Sequence, residues 1–104
     1  MGRKASSEKR GTMVFETRDD HLAAYLVLRG CRRTGLVAVE GKVPRVLHVF
    51  DDDALRLMAV VESYRRGEGD GIPALLFAQT ALHLRAIRRD ERLRLRRRAP
   101  SAPR

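Results

Sequence analysis

The sequence predicts a small α+β protein in which helices cover a three-stranded sheet, with elements in the order β-α-β-β-α-α. Three observations favour this class. Short runs rich in β-branched residues alternate with stretches whose apolar residues recur every three or four positions. A four-residue link separates two of the β-type runs, which is short enough for a hairpin. With 104 residues and 43% hydrophobic content, the chain is sized for one core.

The first strand and helix are predicted from the stretch TMVFETRDD. Residues 12–16 are β-prone, and Thr17 is expected to cap a helix with its hydroxyl oxygen. Asp20 then stands at the third helical position, where a capping box carries its acidic residue. The helix is expected to end near Arg29, whose charge complements the helix dipole, with Gly30 following the C-cap. Its apolar stripe comprises Leu22, Ala23, Tyr25 and Leu26.

The second and third strands are predicted at 34–40 and 45–50, joined as a hairpin by the link GKVP. β-Branched residues dominate both runs, which favours strands over helices. Apolar residues occupy nearly every position, so we expect partial burial on both faces of the sheet.

Two helices are predicted after the hairpin. The second helix is expected to begin at the aspartate run 51–53 and to end at Gly67, and Pro73 fits the first position of the third helix. The apolar face predicted for the second helix comprises Ala54, Leu57, Met58, Val61 and Tyr64. The apolar face predicted for the third helix comprises Leu75, Leu76, Ala78, Leu82, Ala86 and Ile87.

Charge divides the chain into three parts. Residues 1–11 carry a net charge of +3 and are expected to form a disordered basic arm. Residues 12–87 are expected to form a single domain, and residues 12–84 have a net charge of only −1. Residues 88–104 are expected to form an Arg-rich helical extension with a Pro-containing tail. Nine arginines against two acidic residues give residues 85–104 a net charge of +7.

The basic C-terminal part is typical of a segment that binds a polyanion. If the third helix continues, arginines at i, i+3, i+7 and i+11 from Arg85 share one face, and their guanidinium groups can meet successive phosphates. No aromatic, Asn or Gln residue accompanies them in 85–98, so we expect backbone contacts without base reading. The candidate nucleic-acid-binding residues are Arg85, Arg88, Arg89, Arg92, Arg96, Arg97 and Arg98.

The abundance of arginine is also compatible with two origins that involve no polyanion. Only three of the 22 basic residues are Lys, a bias that a GC-rich genome produces as well. The segment also fits a solvated helix end in which Asp90 and Arg94 pair at i, i+4 and the last arginines complement the dipole.

Acidic residues follow two of the predicted strands, in VFETRDD and VFDDDAL. Asp is among the best N-cap residues, so capping is the simplest role for Asp51, Asp52 and Asp53. If the first and third strands were parallel neighbours, however, these residues and Glu16, Asp19 and Asp20 would meet at one sheet edge. Such a group of carboxylates could hold Mg²⁺, as a metal-dependent nuclease requires.

The remaining polar residues predict no metal site, cofactor or enzyme. His21, His48, His83 and Cys31 lack the local pair spacing of a zinc site, so each histidine is expected to be satisfied or exposed. No nucleophile elbow or P-loop is present. A single Cys, the lack of an apolar leader and apolar runs too short to span a bilayer predict a cytoplasmic protein without membrane contact.

The stretch FETRDDHLAAYL (15–26), followed by a hairpin and VFDDD (49–53), resembles a family of small uncharacterised bacterial and phage proteins. These proteins share the pattern F-x-T-x-D-x-x-L-A-A-x-L, and the likeness covers roughly residues 13–89. The resemblance implies a stand-alone small module, such as one from a mobile element, and it assigns no activity to any residue.

These observations lead to three functional hypotheses. The first is a non-enzymatic module that contacts the backbone of nucleic acid, as an accessory protein of a mobile element or of a larger nucleoprotein complex. The second is a protein–protein interaction or homodimer module in which the tail only confers solubility, with exposed strand edges available for pairing. The third is a Mg²⁺-dependent nuclease that uses the aspartates.

Overall fold

The computed structural model describes residues 11–69 and 71–98. The α+β class and the predicted element order are confirmed. The strands and helices are β1 (Thr12–Thr17), α1 (Asp20–Leu28), β2 (Arg33–Val39), β3 (Arg45–Asp53), α2 (Ala54–Arg65) and α3 (Ala74–Arg98). The predicted basic arm, apart from Gly11, and the tail from residue 99 onward lie outside the described residues.

The three strands form one antiparallel sheet with the order β1-β3-β2. β2 and β3 make the predicted hairpin, with one register shift between Arg33 and Gly35. β1 pairs with the other side of β3 and is also antiparallel to it, so Thr12 lies opposite Asp53 and Thr17 lies opposite His48. β3 is therefore the central strand, and its two ends lie beside opposite ends of β1.

The helices all pack on one face of this sheet, which we call the inner face. Alternate residues of β3 point there, with Val46, His48 and Phe50 fully buried. Helix α1 contacts both of the other helices. The buried core of the described residues comprises Leu22, Ala23, Ala24, Leu26, Cys31, Phe50, Leu57, Val61, Ala81 and Leu84. The opposite, outer face of the sheet has no described helix over it.

The ends of α1 are set by polar contacts. Asp19, and not Thr17 as predicted, is its N-cap: the Asp19 carboxylate accepts hydrogen bonds from the backbone N–H groups of His21 and Leu22. Thr17 stabilises the turn before the helix, because its hydroxyl accepts a hydrogen bond from the N–H of Asp19. Gly30 ends the helix as predicted, with a φ of +88° that L side chains rarely adopt.

A polar cap also marks the junction between β3 and α2. β3 continues through the aspartate run, so α2 starts at Ala54 and not within that run as predicted. The Asp53 carboxylate caps α2 by accepting from the N–H of Arg56, 2.9 Å away. In turn, the Arg56 guanidinium donates to the carbonyls of Arg29 and Gly30 at the C-terminal end of α1. Capping therefore links the two helices.

The buried side of α3 differs from the prediction. Of the predicted residues, Ile87 packs on the core, and it does so together with Phe77, Ala81 and Leu84, which the prediction did not include. In contrast, Leu75, Leu76 and Leu82 are 70%, 44% and 63% exposed. The helix carries apolar residues on two sides, so helical periodicity alone could not select the buried one; packing against α1 does.

Candidate nucleic-acid interface

The arginine-rich segment belongs to an unbroken helix. α3 runs for 25 residues, about 37 Å, so the predicted extension is continuous with the helix that builds the core. Near its end, Leu95 lines a shallow cavity together with Ala38, Val39 and Pro44 of the hairpin. The end of the arginine-rich segment thus lies near the hairpin.

The predicted arginines divide into two groups. Arg85, Arg89, Arg96 and Arg97 are exposed and Arg92 is partly exposed, and none of these five forms an ion pair or side-chain hydrogen bond with another described residue. Arg88 lies apart from them, in the interior. Arg98 is the last helical residue, and its backbone alone is described.

Four of the unpaired arginines form a row along α3. With about 100° of rotation per residue, Arg85, Arg89, Arg92 and Arg96 fall within about 60° of one another. The row, which we call the arginine stripe, extends for about 16 Å along the helix. Arg97 borders it. The face predicted from the sequence contained Arg88 in place of Arg89, so the centre of the stripe lies about 25° further round the helix.

Arg88 points from α3 to Asp20 at the start of α1. Its Nε and Nη2 atoms donate to the two carboxylate oxygens of Asp20, each over 3.0 Å. Both side chains are largely buried, with 17% and 11% of their surfaces exposed. Such a two-point contact uses the arginine fork to fix α3 against α1.

His48 joins the same carboxylate from the centre of the sheet. Its Nε2 atom lies 2.9 Å from Oδ1 of Asp20, and its Nδ1 atom lies 3.3 Å from Nε of Arg33. Because an arginine Nε can only donate, Nδ1 accepts and Nε2 carries the proton. Both ring nitrogens are occupied, so His48 offers no free base for catalysis. We call Arg33, His48, Asp20 and Arg88 the polar network.

Burial and charge act on each member of the polar network. Burial lowers the pKa of His48, and the positive charges of Arg33 and Arg88 add to this effect, against the influence of Asp20. Burial alone raises the pKa of Asp20, but hydrogen bonds from Arg88 and His48 outweigh it and hold that pKa below its ordinary value. The folded protein therefore favours a neutral imidazole beside an ionised carboxylate.

The carboxylates of the arginine-rich segment lie away from the stripe. Arg94 pairs with Glu91, with its Nε atom 3.0 Å from Oε1, in place of the predicted pair with Asp90. This i, i+3 pair lies on another side of the helix, and Asp90 is about 100° round from Arg89. The stripe is therefore a row of cations without an interleaved acid.

The two acidic clusters do not meet at one edge of the sheet. Because β1 and β3 are antiparallel, Glu16 lies opposite Val49, whereas Asp51 and Asp53 lie opposite Val14 and Thr12 at the other end of β1. Asp52 accepts from the backbone N–H groups of Arg32 and Asp53. The carboxylates of this run thus serve as acceptors for backbone N–H groups. The described residues contain no group of three or more ligands placed to hold a metal ion.

The other histidines and the cysteine lie apart. His21 is exposed and its ring is tilted against Phe77, with centroids 5.8 Å apart, and His83 is exposed on α3. Cys31 is buried, and burial raises the pKa of its thiol, which keeps it protonated. His48 is buried and satisfied, as expected.

Among the described residues, every helix is too short or too polar to span a bilayer.

Comparison with family models, with curated proteins and with solved structures found no match for this chain. The resemblance to small bacterial and phage proteins therefore stays a prediction. Any functional conclusion rests on the geometry of the described residues.

Proposed function

We propose that this protein is a non-enzymatic module that binds the phosphate backbone of nucleic acid through α3. The single observation that carries the proposal is the arginine stripe, a row of unpaired guanidinium groups on an ordered helix. The body of the protein supports the helix and contributes almost no net charge, since residues 12–84 sum to −1.

The stripe has the chemistry of a phosphate-binding surface. It places four cations along about 16 Å, a density comparable to that of phosphates along a strand, and each neutralised phosphate releases a condensed counterion. Guanidinium groups bind phosphate oxygens through two parallel hydrogen bonds. No aromatic residue lies within 85–98 to stack on bases, so affinity comes from the backbone and depends steeply on salt.

Arg88 acts here as a positioning residue. Its Nε and Nη2 atoms are already used by Asp20, so it holds α3 in place while the stripe makes contact. Arg97 extends the basic surface beyond the stripe, and Arg98 follows it as the last residue of α3. The antiparallel placement of the aspartates gives no support to the alternative of a Mg²⁺-dependent nuclease.

Replacing Arg85, Arg89 and Arg96 together with Gln tests this function. If each of the three meets a phosphate, the slope of log affinity against log salt becomes shallower by about 2 to 3, since each contact contributes about 0.9. Fluorescence anisotropy with a labelled 20-base-pair duplex and with a labelled single strand, over a salt series, measures the slopes and shows which form of nucleic acid is preferred.

A matched control removes the same charge elsewhere. Arg18, Lys42 and Arg65 are exposed in other elements and loops, and their replacement with Gln lowers the net charge equally. We expect this variant to retain most of the salt slope. An equal loss of salt slope in both variants would mean that the whole positive surface attracts nucleic acid diffusely and that the stripe is not the contact site. If the wild-type protein shows no measurable binding at 50 mM salt, the proposed function is refuted.

A further inference from the structure

One side of β1 has no neighbouring strand among the described residues. β1 and β2 are the two edge strands of the sheet, because β3 lies between them. An edge strand presents unpaired backbone N–H and C=O groups, to which another extended segment can add. β2 carries a register shift between Arg33 and Gly35, and such irregularities disfavour pairing along an edge. β1 pairs with β3 without a shift, so its open side, which we call the β1 edge, is the regular one.

The backbone of β1 directs two donor–acceptor pairs away from β3. In an antiparallel ladder, alternate residues exchange hydrogen bonds with the neighbouring strand, and the residues between them point their polar groups outward. The carbonyl of Gly11 accepts from the N–H of Ala54, and the continuous register gives the other odd-numbered residues of β1 the same orientation. The N–H and C=O groups of Val14 and Glu16 therefore point outward, and they have no hydrogen-bond partner among the described residues.

An apolar groove lies beside the β1 edge, on the inner face of the sheet. Met13 and Phe15 of β1 line it together with Leu57, Met58 and Val61 of α2. Its volume is about 140 Å³, and Met58 is 58% exposed, so the groove is open to solvent on one side. The inner-facing side chains of a strand added to the β1 edge would lie next to this groove.

Glu16 supplies an unpaired negative charge at the same edge. Its side chain is exposed and forms no ion pair with another described residue. Glu62 and Arg65 complete the lining of the groove, are both exposed, and carry charges that offset one another. A basic side chain on an added strand would therefore find its cross-strand partner in Glu16.

We propose that the β1 edge binds an extended peptide segment of a partner protein as an additional strand. Antiparallel addition gives the more stable pairing, and it sets four successive partner residues opposite residues 16 to 13, in that order. The first and third exchange backbone hydrogen bonds with Glu16 and Val14. The second and fourth point to the inner face and contact the groove, because side chains alternate along a strand.

This geometry defines the chemistry of the partner segment. Its first residue is basic, because it faces Glu16 across the pair. Its second and fourth residues are aliphatic, because they lie beside Phe15 and Met13 at the groove. Its third residue is β-branched, because it lies beside Val14 on the outer face, where such residues pack well. The segment therefore reads basic, aliphatic, β-branched, aliphatic.

This chain itself offers no segment of that kind for the β1 edge. Residues 1–10 and 99–104 contain no two aliphatic residues separated by one position. A second copy that paired through its own β1 would leave both copies of Glu16 without a cation, because β1 contains no basic residue. Charge and side-chain pattern therefore favour a different protein as the occupant.

The peptide site and the arginine stripe share no residue. The first is formed by β1 and α2 and the second by α3, so peptide binding and nucleic-acid binding can each fail without the other. Variants of the β1 edge should therefore bind the labelled duplex as the wild type does.

A synthetic peptide tests the proposal in the full chain. The probe is the end-blocked peptide GSKLVLSG, whose Lys, Leu, Val and Leu are the four pairing residues. We expect the amide signals of Val14 and Glu16 in isotopically labelled protein to shift on titration and their hydrogen exchange to slow, because both N–H groups gain partners. The control is a peptide of the same composition without the alternation. If neither amide responds at about 1 mM of the probe, the proposal is overturned.

A proline substitution tests strand addition itself. Val14→Pro removes an outward N–H and leaves the hydrogen bonds between β1 and β3 intact, so we expect the dissociation constant of the fluorescein-labelled probe to rise about tenfold. Val14→Thr keeps the N–H and the β-branched shape and should stay within about twofold of the wild type. Circular dichroism verifies both folds. Equal binding by the two variants would refute strand addition, and a wild-type dimer that Val14→Pro dissociates would show that a second copy occupies the edge instead.

A charge exchange tests the register. Glu16→Lys should weaken binding of GSKLVLSG about fivefold and should strengthen binding of GSELVLSG by a similar factor, because the cross-strand pair is reversed on both sides. An unchanged preference for the Lys peptide in the variant would show that the basic residue does not face Glu16, and the proposed segment would be wrong.

Discussion

Asp20 is the residue at which three parts of the chain meet. It begins α1, binds Arg88 of α3 through both carboxylate oxygens and accepts from His48 of the central strand. Arg33 completes the polar network from β2. In a largely buried place, the hydrogen bonds that Asp20 accepts from Arg88 and His48 offset the cost of removing its charge from water.

Removing the Asp20 charge should destabilise the fold. In Asp20→Asn, Arg88 stays largely buried without an anion, so we expect the free energy of unfolding to fall by about 2–3 kcal/mol. Urea denaturation followed by circular dichroism measures the change. Glu68→Gln, which breaks the exposed pair with Arg66, is the control and should have little effect. An equally small effect of both would show that the network does not stabilise the protein.

The polar network should also make stability depend on pH. Because burial lowers the pKa of His48 in the folded state, the unfolded chain takes up a proton near pH 6.5 while the folded protein stays neutral. The contribution is fully present above pH 6.5 and decreases as the pH falls below it. Urea midpoints between pH 7.5 and 5.0 should show this decline.

Histidine variants assign the pH dependence. His48→Gln should flatten the decline between pH 6.5 and 5.0, whatever its effect on stability at pH 7.5. His83→Gln changes an exposed histidine and should preserve the wild-type slope. If the His48→Gln slope equals that of the wild type, another group is responsible.

At the scale of elements, short capping interactions decide where helices begin and end. α1 and α2 both start at an aspartate N-cap and both end at an Arg-Gly pair, with Gly30 and Gly67 at positive φ. These contacts lie within a few residues of sequence, which is why the sequence predicts them closely. The N-cap of α1 is Asp19 and not the predicted Thr17. Both side chains accept hydrogen bonds from the backbone, but Thr17 accepts from the N–H of Asp19 and Asp19 accepts from the first N–H groups of the helix.

The aspartate run gives an element-scale prediction. Asp53→Ala removes the acceptor for the N–H of Arg56 and should lower the free energy of unfolding by about 1 kcal/mol, whereas Asp53→Asn keeps the cap and should change it by only a few tenths. Thermal and urea unfolding measure both. Equal losses in the two variants would mean that the Asp53 charge stabilises the protein by a route other than capping.

At the scale of the whole molecule, burial and charge are segregated. The inner face of the sheet holds the core, the outer face mixes aliphatic and charged residues and has no described helix over it, and the positive charge is concentrated at the end of α3. The nearly neutral part of the protein, residues 12–84, and the arginine stripe are separate regions, and α3 contributes residues to both. This separation predicts that stripe variants change binding without changing stability, which the urea midpoints of the same variants check.

The candidate site was predictable in part. The predicted arginines all lie on α3, since a long run of helix formers without a break continues a helix. Five of them, Arg85, Arg89, Arg92, Arg96 and Arg97, have described side chains that lie outside the polar network. The sequence could not show that Arg88 turns inward while Arg89 stays exposed, because this depends on which of the two lies near Asp20 in the folded protein. The polar network gave no local signal, as its members lie on four different elements.

The sequence by itself determined the element order, the hairpin, the glycines that end α1 and α2 and the concentration of arginines, because each depends on residues within a few positions of one another. Only the tertiary structure decided that β1 runs antiparallel to β3, which separates the acidic clusters. It also decided which side of α3 is buried, and that Arg88 turns inward. Those choices depend on contacts between distant residues, such as Asp20 and Arg88, 68 positions apart, which no local pattern encodes.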